Sequence, residues 1–238
     1  MWEYYLMGII LIPGLILASW AQINVQTTFN TYDKLDARSG ITASELIRRL
    51  LIAAGMGDVS VTMISGNLTD HYDPKHKTIA LSEATYNSSS VSALGVACHE
   101  FGHALQDKES YVPLRVRQTL IPITNFACSL LMPLVVIGLI ICFGSVADTV
   151  IGNIFLWSGI IVFGSSVFVN LVTLPVEFDA SNRALKLLSA TGTLTDSELT
   201  GAKKVLKAAA LTYLAALLVS ILSLLRFLIV ALSRRSRD

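Results

Sequence analysis

The sequence predicts a mainly α-helical membrane protein in which four transmembrane helices carry one small α+β domain. Three observations predict it. Of 238 residues, 53% are hydrophobic and only 15% charged, a balance that a soluble domain of this length does not easily keep in solution. Four long apolar stretches punctuate the chain. Between the first two lies a polar stretch whose apolar residues repeat first at helical and then at strand spacing.

The elements follow in order. Tyr4 to Trp20 is apolar apart from Ser19 and reads as an uncleaved anchor, residues 1–20. A signal peptide would carry a base where Glu3 stands and a small-residue cleavage site near Trp20. Residues 21–119 read as the α+β domain. Thr42 with Glu45 makes a capping box, Leu46, Leu50, Leu51 and Ala54 form one stripe, and Gly55 ends that helix. Val59, Val61 and Met63 alternate with Ser60 and Thr62 as a strand does. Leu68 to Tyr72 and Lys77 to Leu81 are two further strands, joined through Asp73 and Pro74. Ser88, Ser89 and Ser90 offer N-caps for a helix from Val91 to about Asp107.

Crossing a hydrocarbon core of about 30 Å takes about 20 helical residues. Leu120 to Phe143 has that length and no charge, though Pro122 and Pro133 interrupt it, and Val150 to Val172 is also uncharged. Only Gly144 to Thr149 separates the two, so residues 120–172 form a tight transmembrane hairpin. The polar stretches on either side then lie on one membrane face. In residues 173–207, Pro175 suits the first turn of a helix that ends at Gly192. A second capping box, Thr195 with Glu198, opens a helix running into the last span, Ala208 to Leu232, which only Arg226 interrupts. Residues 208–238 comprise that span and a basic tail.

A net charge of +1 points away from nucleic acid as a partner. The three cysteines, Cys98, Cys128 and Cys142, are odd in number and two fall in a span, so they read as buried thiols rather than a disulfide framework.

The sharpest signal is Cys98-His99-Glu100-Phe101-Gly102-His103. On a helix His99 and His103 lie four apart and turn both imidazoles toward one point, which suits two ligands of a tetrahedral zinc. Glu100 lies beside them, where it can deprotonate a metal-bound water. The bland alternative is a pair of satisfied core histidines. A catalytic zinc needs a third protein ligand and one open position. Glu177 is the better candidate, although a helix-start glutamate favoured by the macrodipole explains it too. Its rival, Asp107, is displaced a turn along the helix axis.

The chain resembles the YugP-like membrane zinc metallopeptidases, the group called putative neutral zinc metallopeptidases. The resemblance covers nearly the whole chain. It is carried by Leu68 to Pro74, His99 to His103, Val172 to Phe178 and Lys204 to Tyr213. It implies His99 and His103 as metal ligands, Glu100 as catalytic base and a zincin-like α+β domain around the histidine helix. A more distant similarity is to the HtpX and CAAX-prenyl peptidase group, which completes the metal site with a glutamate from a later helix. That implies Glu177. The same group has an aspartate four residues further on, where this chain has Ser181, with Asp179 two residues earlier. Support of a histidine by Asp179 is thereby in doubt.

The resulting expectation is a zinc-dependent membrane endopeptidase with one catalytic ion and Glu100 as general base. His71 or Tyr72 is the candidate oxyanion donor, against a plain Asx-Pro turn over Asp70 to Pro74. Its partners are the lipid bilayer and peptide or membrane-protein substrates, with Lys77 to Leu81 a strand that could take substrate by strand addition. The expected location is multi-pass in a prokaryotic plasma membrane. Arg115, Arg117, Arg183, Lys186, Lys203, Lys204 and Lys207 flank the spans on the site's face. Met1 to Glu3 and Gly144 to Thr149 carry no base, while Arg234, Arg235 and Arg237 count the other way, so the balance puts the site in the cytoplasm. An intramembrane protease would need the motif inside a span, yet only about eight apolar residues precede His99 and Asp107, Lys108 and Glu109 follow. A non-proteolytic, zinc-stabilised scaffold or chaperone is the alternative from another class, and it would not need Glu100.

Overall fold

The first apolar stretch does not stop at Trp20. In the computed structural model, which describes residues 8–143 and 150–235, helix α1 (Ile12–Asp33) continues well into the polar region. No glycine or proline interrupts Trp20 to Asp33, and Ala21 and Phe29 are buried there. The Ser92 hydroxyl also donates to the Phe29 carbonyl at 2.7 Å.

Helix α2 (Ala43–Ala53) starts where Thr42 Oγ1 accepts from the Glu45 N–H at 3.4 Å, and it ends at Gly55, whose φ of +63° suits a residue without Cβ. Strands β1 (Ser60–Ile64), β2 (His71–Asp73) and β3 (Thr78–Ser82) form one sheet in the order β1-β3-β2. β1 runs parallel to β3 with Ser60 opposite Thr78, and β2 runs antiparallel with His71 opposite Ala80.

Two expectations change here. β3 is the central strand: both its edges are already hydrogen-bonded and Ile79 to Ser82 are buried, so it cannot receive a substrate strand. Leu68 to Asp70 is not strand. Leu68 sits in the left-handed region (φ 56°), and the Asp70 carboxylate accepts from the Ser82 N–H and hydroxyl at 2.8 and 2.9 Å. That side-chain bonding takes the place of a ladder.

After the single turn α3 (Glu83–Tyr86) comes α4 (Val91–Lys108). Ser90 caps it: its hydroxyl accepts from the Ala93 N–H at 3.1 Å and donates to Asp33 at 2.7 Å. Three long helices complete the chain, α5 (Val112–Phe143), α6 (Val150–Ala190) and α7 (Asp196–Arg235). The second capping box closes in both directions, with Thr195 N–H on Glu198 Oε2 at 2.7 Å and Glu198 N–H on Thr195 Oγ1 at 3.4 Å.

Pro122 and Pro133 do not interrupt α5, and Pro175 does not start a helix but lies inside α6. In a helix interior proline costs about 3 kcal/mol. At Pro175 the missing N–H is the one that would bond the Leu171 carbonyl, and α6 stays helical on both sides of it. Near it the Thr173 hydroxyl bonds Val169 O at 2.8 Å, and Gln106 Nε2 from α4 bonds Val176 O at 2.8 Å, although neither replaces the lost bond.

The residues gather into two compact units. Ala21–Leu114 and Leu174–Thr212 make one, so the two polar stretches come together. Its core includes Ile47, Ile79, Leu81, Leu94, Phe101, Leu188 and Leu206. The other comprises Met1–Trp20, Arg115–Thr173 and Tyr213–Asp238. Within it the Phe163 and Phe227 rings stack at 5.1 Å, and Gly159 lets the Phe227 ring lie against the α6 backbone. Among the described residues two helical segments, Trp157–Ala190 and Asp196–Ile229, are long and apolar enough to cross a membrane. Of the other expected elements, Met1 to Met7, the Gly144 to Thr149 turn and Arg237 lie outside the described residues.

Candidate metal centre

Helical geometry brings the two histidines together. His99 and His103 are one turn apart on α4, and their rings sit edge to face with centroids 4.7 Å apart. Glu177 arrives from α6. Its Oε2 lies 3.1 Å from His99 Nε2 and 3.6 Å from His103 Nε2, and one ligand atom from each residue falls within 4.8 Å of the other two. Gly102 makes this approach possible. A Cβ there would stand 2.6 Å from the Ala180 carbonyl oxygen and 3.1 Å from its Cα, so only glycine lets the two backbones come so close.

The outward ring nitrogens are bonded as well. Ser181 Oγ lies 3.1 Å from His99 Nδ1, and Gln106 Oε1 lies 3.0 Å from His103 Nδ1. Both Nε2 atoms therefore face Glu177, the arrangement in which a neutral imidazole offers a lone pair to a metal while its other nitrogen is held. Two such imidazoles and a carboxylate are a donor set that suits zinc, and the three side chains fit that ion.

The electrostatics agree. Burial raises the Glu177 carboxyl, but hydrogen bonds from His103 and His99 outweigh it and hold the group well below the usual carboxylate range. For His103, burial opposes the charged form, yet Glu177 and the nearby Glu100 carboxylate raise it overall. Glu100 itself is buried on α4, close enough to His103 to act on its charge.

The remaining candidates lie elsewhere. Asp107, the rival ligand, accepts from the Tyr72 hydroxyl at 2.8 Å and Lys77 Nζ at 2.6 Å and does not join the cluster. Burial, then the bond to Asp107, raises the Tyr72 hydroxyl above its ordinary range. His71 is an exposed residue of β2 whose Nδ1 lies 3.0 Å from Thr69 O. Asp179 bonds Gln106 and Arg183. Cys98, beside His99, is fully buried and its thiol is pushed up to about 12, so it stays an unreactive core group. Gln106 was not foreseen. The available signal was a buried-face glutamine three residues after His103, which puts it on the same side of the helix.

The model of one protein family, described as "Putative neutral zinc metallopeptidase", matches residues 7–232. The chain belongs to this family. It is similar to the "Putative membrane protease YugP" of Bacillus subtilis (strain 168), with 45% identity over 228 residues, 95% of this chain and 97% of the relative. No solved structure matches it.

Proposed function

We propose that this family member is a multi-pass membrane endopeptidase in which His99, His103 and Glu177 hold one zinc ion. The convergence of three ligand atoms from α4 and α6, with both outward imidazole nitrogens already bonded, carries the reading. A zinc ion bound there supplies Lewis acidity toward a water molecule and the scissile carbonyl. Glu100 does the proton work. As a buried carboxylate beside His103 it accepts the proton of the attacking water and returns it to the leaving amine. Glu177 lends the site its negative charge, and the low proton affinity of its carboxyl keeps it ionised at neutral pH.

In this reading four spans cross the membrane, in α1, α5, α6 and α7, and the two long apolar segments of α6 and α7 support it. Ile154, Trp157, Ile161, Phe168 and Leu171 recur at helical spacing on α6, each about half exposed or more, and Ile221, Leu225, Leu228 and Leu232 form a similar exposed stripe on α7. Water does not tolerate apolar stripes of that length, whereas lipid covers them at no cost. The α+β part then forms a zincin-like domain on the cytoplasmic face, where Arg115, Arg117, Lys203, Lys204 and Lys207 flank the spans. Labelling of cysteines introduced at exposed positions of this domain in intact cells tests the orientation. Reagents that cannot cross the membrane should leave them unmodified.

The deciding experiment for function is Glu100→Gln. Zinc content should stay stoichiometric while peptidase activity falls by about 10²–10⁴-fold, the usual contribution of a general base. Equal activity in the variant sinks the enzymatic reading and leaves a zinc-stabilised scaffold.

A further inference from the structure

The two histidines differ in how their rings are held, and one of them has no choice. Gln106 is completely buried on α4. Its Nε2 lies 2.8 Å from the Val176 carbonyl oxygen and 2.8 Å from Asp179 Oδ2. Both partners only accept, so they use both amide protons and fix which way the amide faces. The flipped amide would set its oxygen against two acceptors. The atom left facing His103 Nδ1, at 3.0 Å, is therefore Oε1, which can only accept.

From this we infer that Gln106 is a positioning residue for the metal centre: it keeps the proton of His103 on Nδ1 and so leaves Nε2, the atom turned to Glu177, as the one that can be given to a metal. Asp179 keeps the lock in place. Arg183 Nε holds the same Asp179 Oδ2 at 2.6 Å, and Arg183 NH1 reaches Glu109 Oε2 at 2.7 Å. The chain of bonds runs from a buried ligand to an exposed carboxylate and latches α4 to α6 on the way. His99 has no such lock. Its Nδ1 faces the Ser181 hydroxyl, which can donate or accept. The chain thus pairs one ligand whose Nδ1 proton is fixed with one that adapts.

The inference rests on the metal-site reading, but its primary test does not need metal. The full chain has four histidines, so uniform ¹⁵N-histidine labelling gives four imidazoles to assign. In chelator-treated protein in lipid nanodiscs, His103 should show a protonated Nδ1 hydrogen-bonded to Gln106, whether or not Nε2 carries a proton. Gln106→Met should lose that pattern. Its zinc affinity, measured by competition with a chromophoric chelator, should fall roughly 10- to 100-fold, the usual effect of removing a ligand's hydrogen-bond partner. Gln106→Glu retains an acceptor, so it should keep the Nδ1 proton even if it loosens the contact with Asp179. A His103 Nδ1 without a proton in the native chain overturns the inference. So does a Gln106→Met protein with unchanged Nδ1 protonation and zinc affinity, or a folded Gln106→Glu protein that loses the Nδ1 proton. A native chain that shows the Nδ1 proton but binds no zinc instead defeats the peptidase reading and leaves the lock standing.

Discussion

The compact unit built from Ala21–Leu114 and Leu174–Thr212 pairs an imidazole with a carboxylate in two places, and the shorter pair is the less consequential. On the hairpin, His76 Nδ1 and Asp73 Oδ2 are 2.6 Å apart, with side chains 69% and 32% exposed. Between α4 and α6, His99 Nε2 and Glu177 Oε2 are 3.1 Å apart, with side chains 13% and 3% exposed. Water screens the first pair, and Asp73 also serves as a turn residue, accepting from the Lys75 and His76 N–H groups at 2.8 and 3.2 Å. At the second pair another imidazole and two further polar side chains converge where water is scarce. Chemistry follows convergence and burial. Contact distance alone is a poor guide.

The comparison breaks most severely at Glu177. Glu177→Ala should abolish stoichiometric zinc and lower peptidase activity by at least about 10³-fold, since the ion contributes several kcal/mol to the transition state. Metal analysis of the purified variant checks this. Retained zinc with full activity would show that the α6 carboxylate is not a ligand.

Gly102→Ala tests the crossing without touching a ligand. Its Cβ would meet the Ala180 backbone, which cannot rotate away, so α6 must retreat. Activity should fall on the order of 10²-fold, as for other displacements of about 1 Å at a reacting centre. Zinc affinity should weaken with it.

Asp107 occupies middle ground, half-buried between Tyr72 and Lys77. Asp107→Ala should cost about 1–3 kcal/mol of unfolding free energy by stranding the Tyr72 hydroxyl. Zinc content should be unchanged. Denaturant unfolding with a parallel metal assay separates the two effects.

The metal-free protein should also show a pH window. His103 is raised from its ordinary 6.5, so its contribution is complete below that value and is lost as pH climbs through the folded-state pKa. Glu177 is lowered from 4.5, so its contribution is complete above that value and is lost as pH falls through its depressed pKa. The melting temperature should therefore be highest in mildly acidic solution, between 4.5 and 6.5, by a few degrees. Glu177→Gln should flatten this maximum.

The smallest effect belongs to the hairpin. His76→Ala should leave unfolding free energy within about 0.5 kcal/mol and zinc binding intact. For His71→Ala, activity should stay within about tenfold of the native chain. A loss of 10²–10³-fold would restore His71 as an oxyanion donor, because one such donor contributes about that much.

Much of this was legible in the linear chain because it depends on near neighbours. Spacing of four residues puts two imidazoles on one face of any helix. Ser90, Thr42 and Thr195 cap helices with atoms three residues away. Long uncharged runs predict spans because an unsatisfied backbone group in lipid is too costly for any other local structure. What the fold alone decided joins more distant residues, those at the metal centre 70 or more apart. Pro175 reads as a helix start, yet α6 continues through it, because the helix of the preceding apolar run does not end before it. Lys77 to Leu81 reads as a free strand, but one neighbour on each side encloses it. Ser181 carries no signature as a residue type, and Gln106 only its spacing of three from His103. Ser181 reaches His99, and α6 orients the Gln106 amide, only because Gly102 lets α4 and α6 approach, and that closeness is a property of two surfaces meeting rather than of either sequence segment.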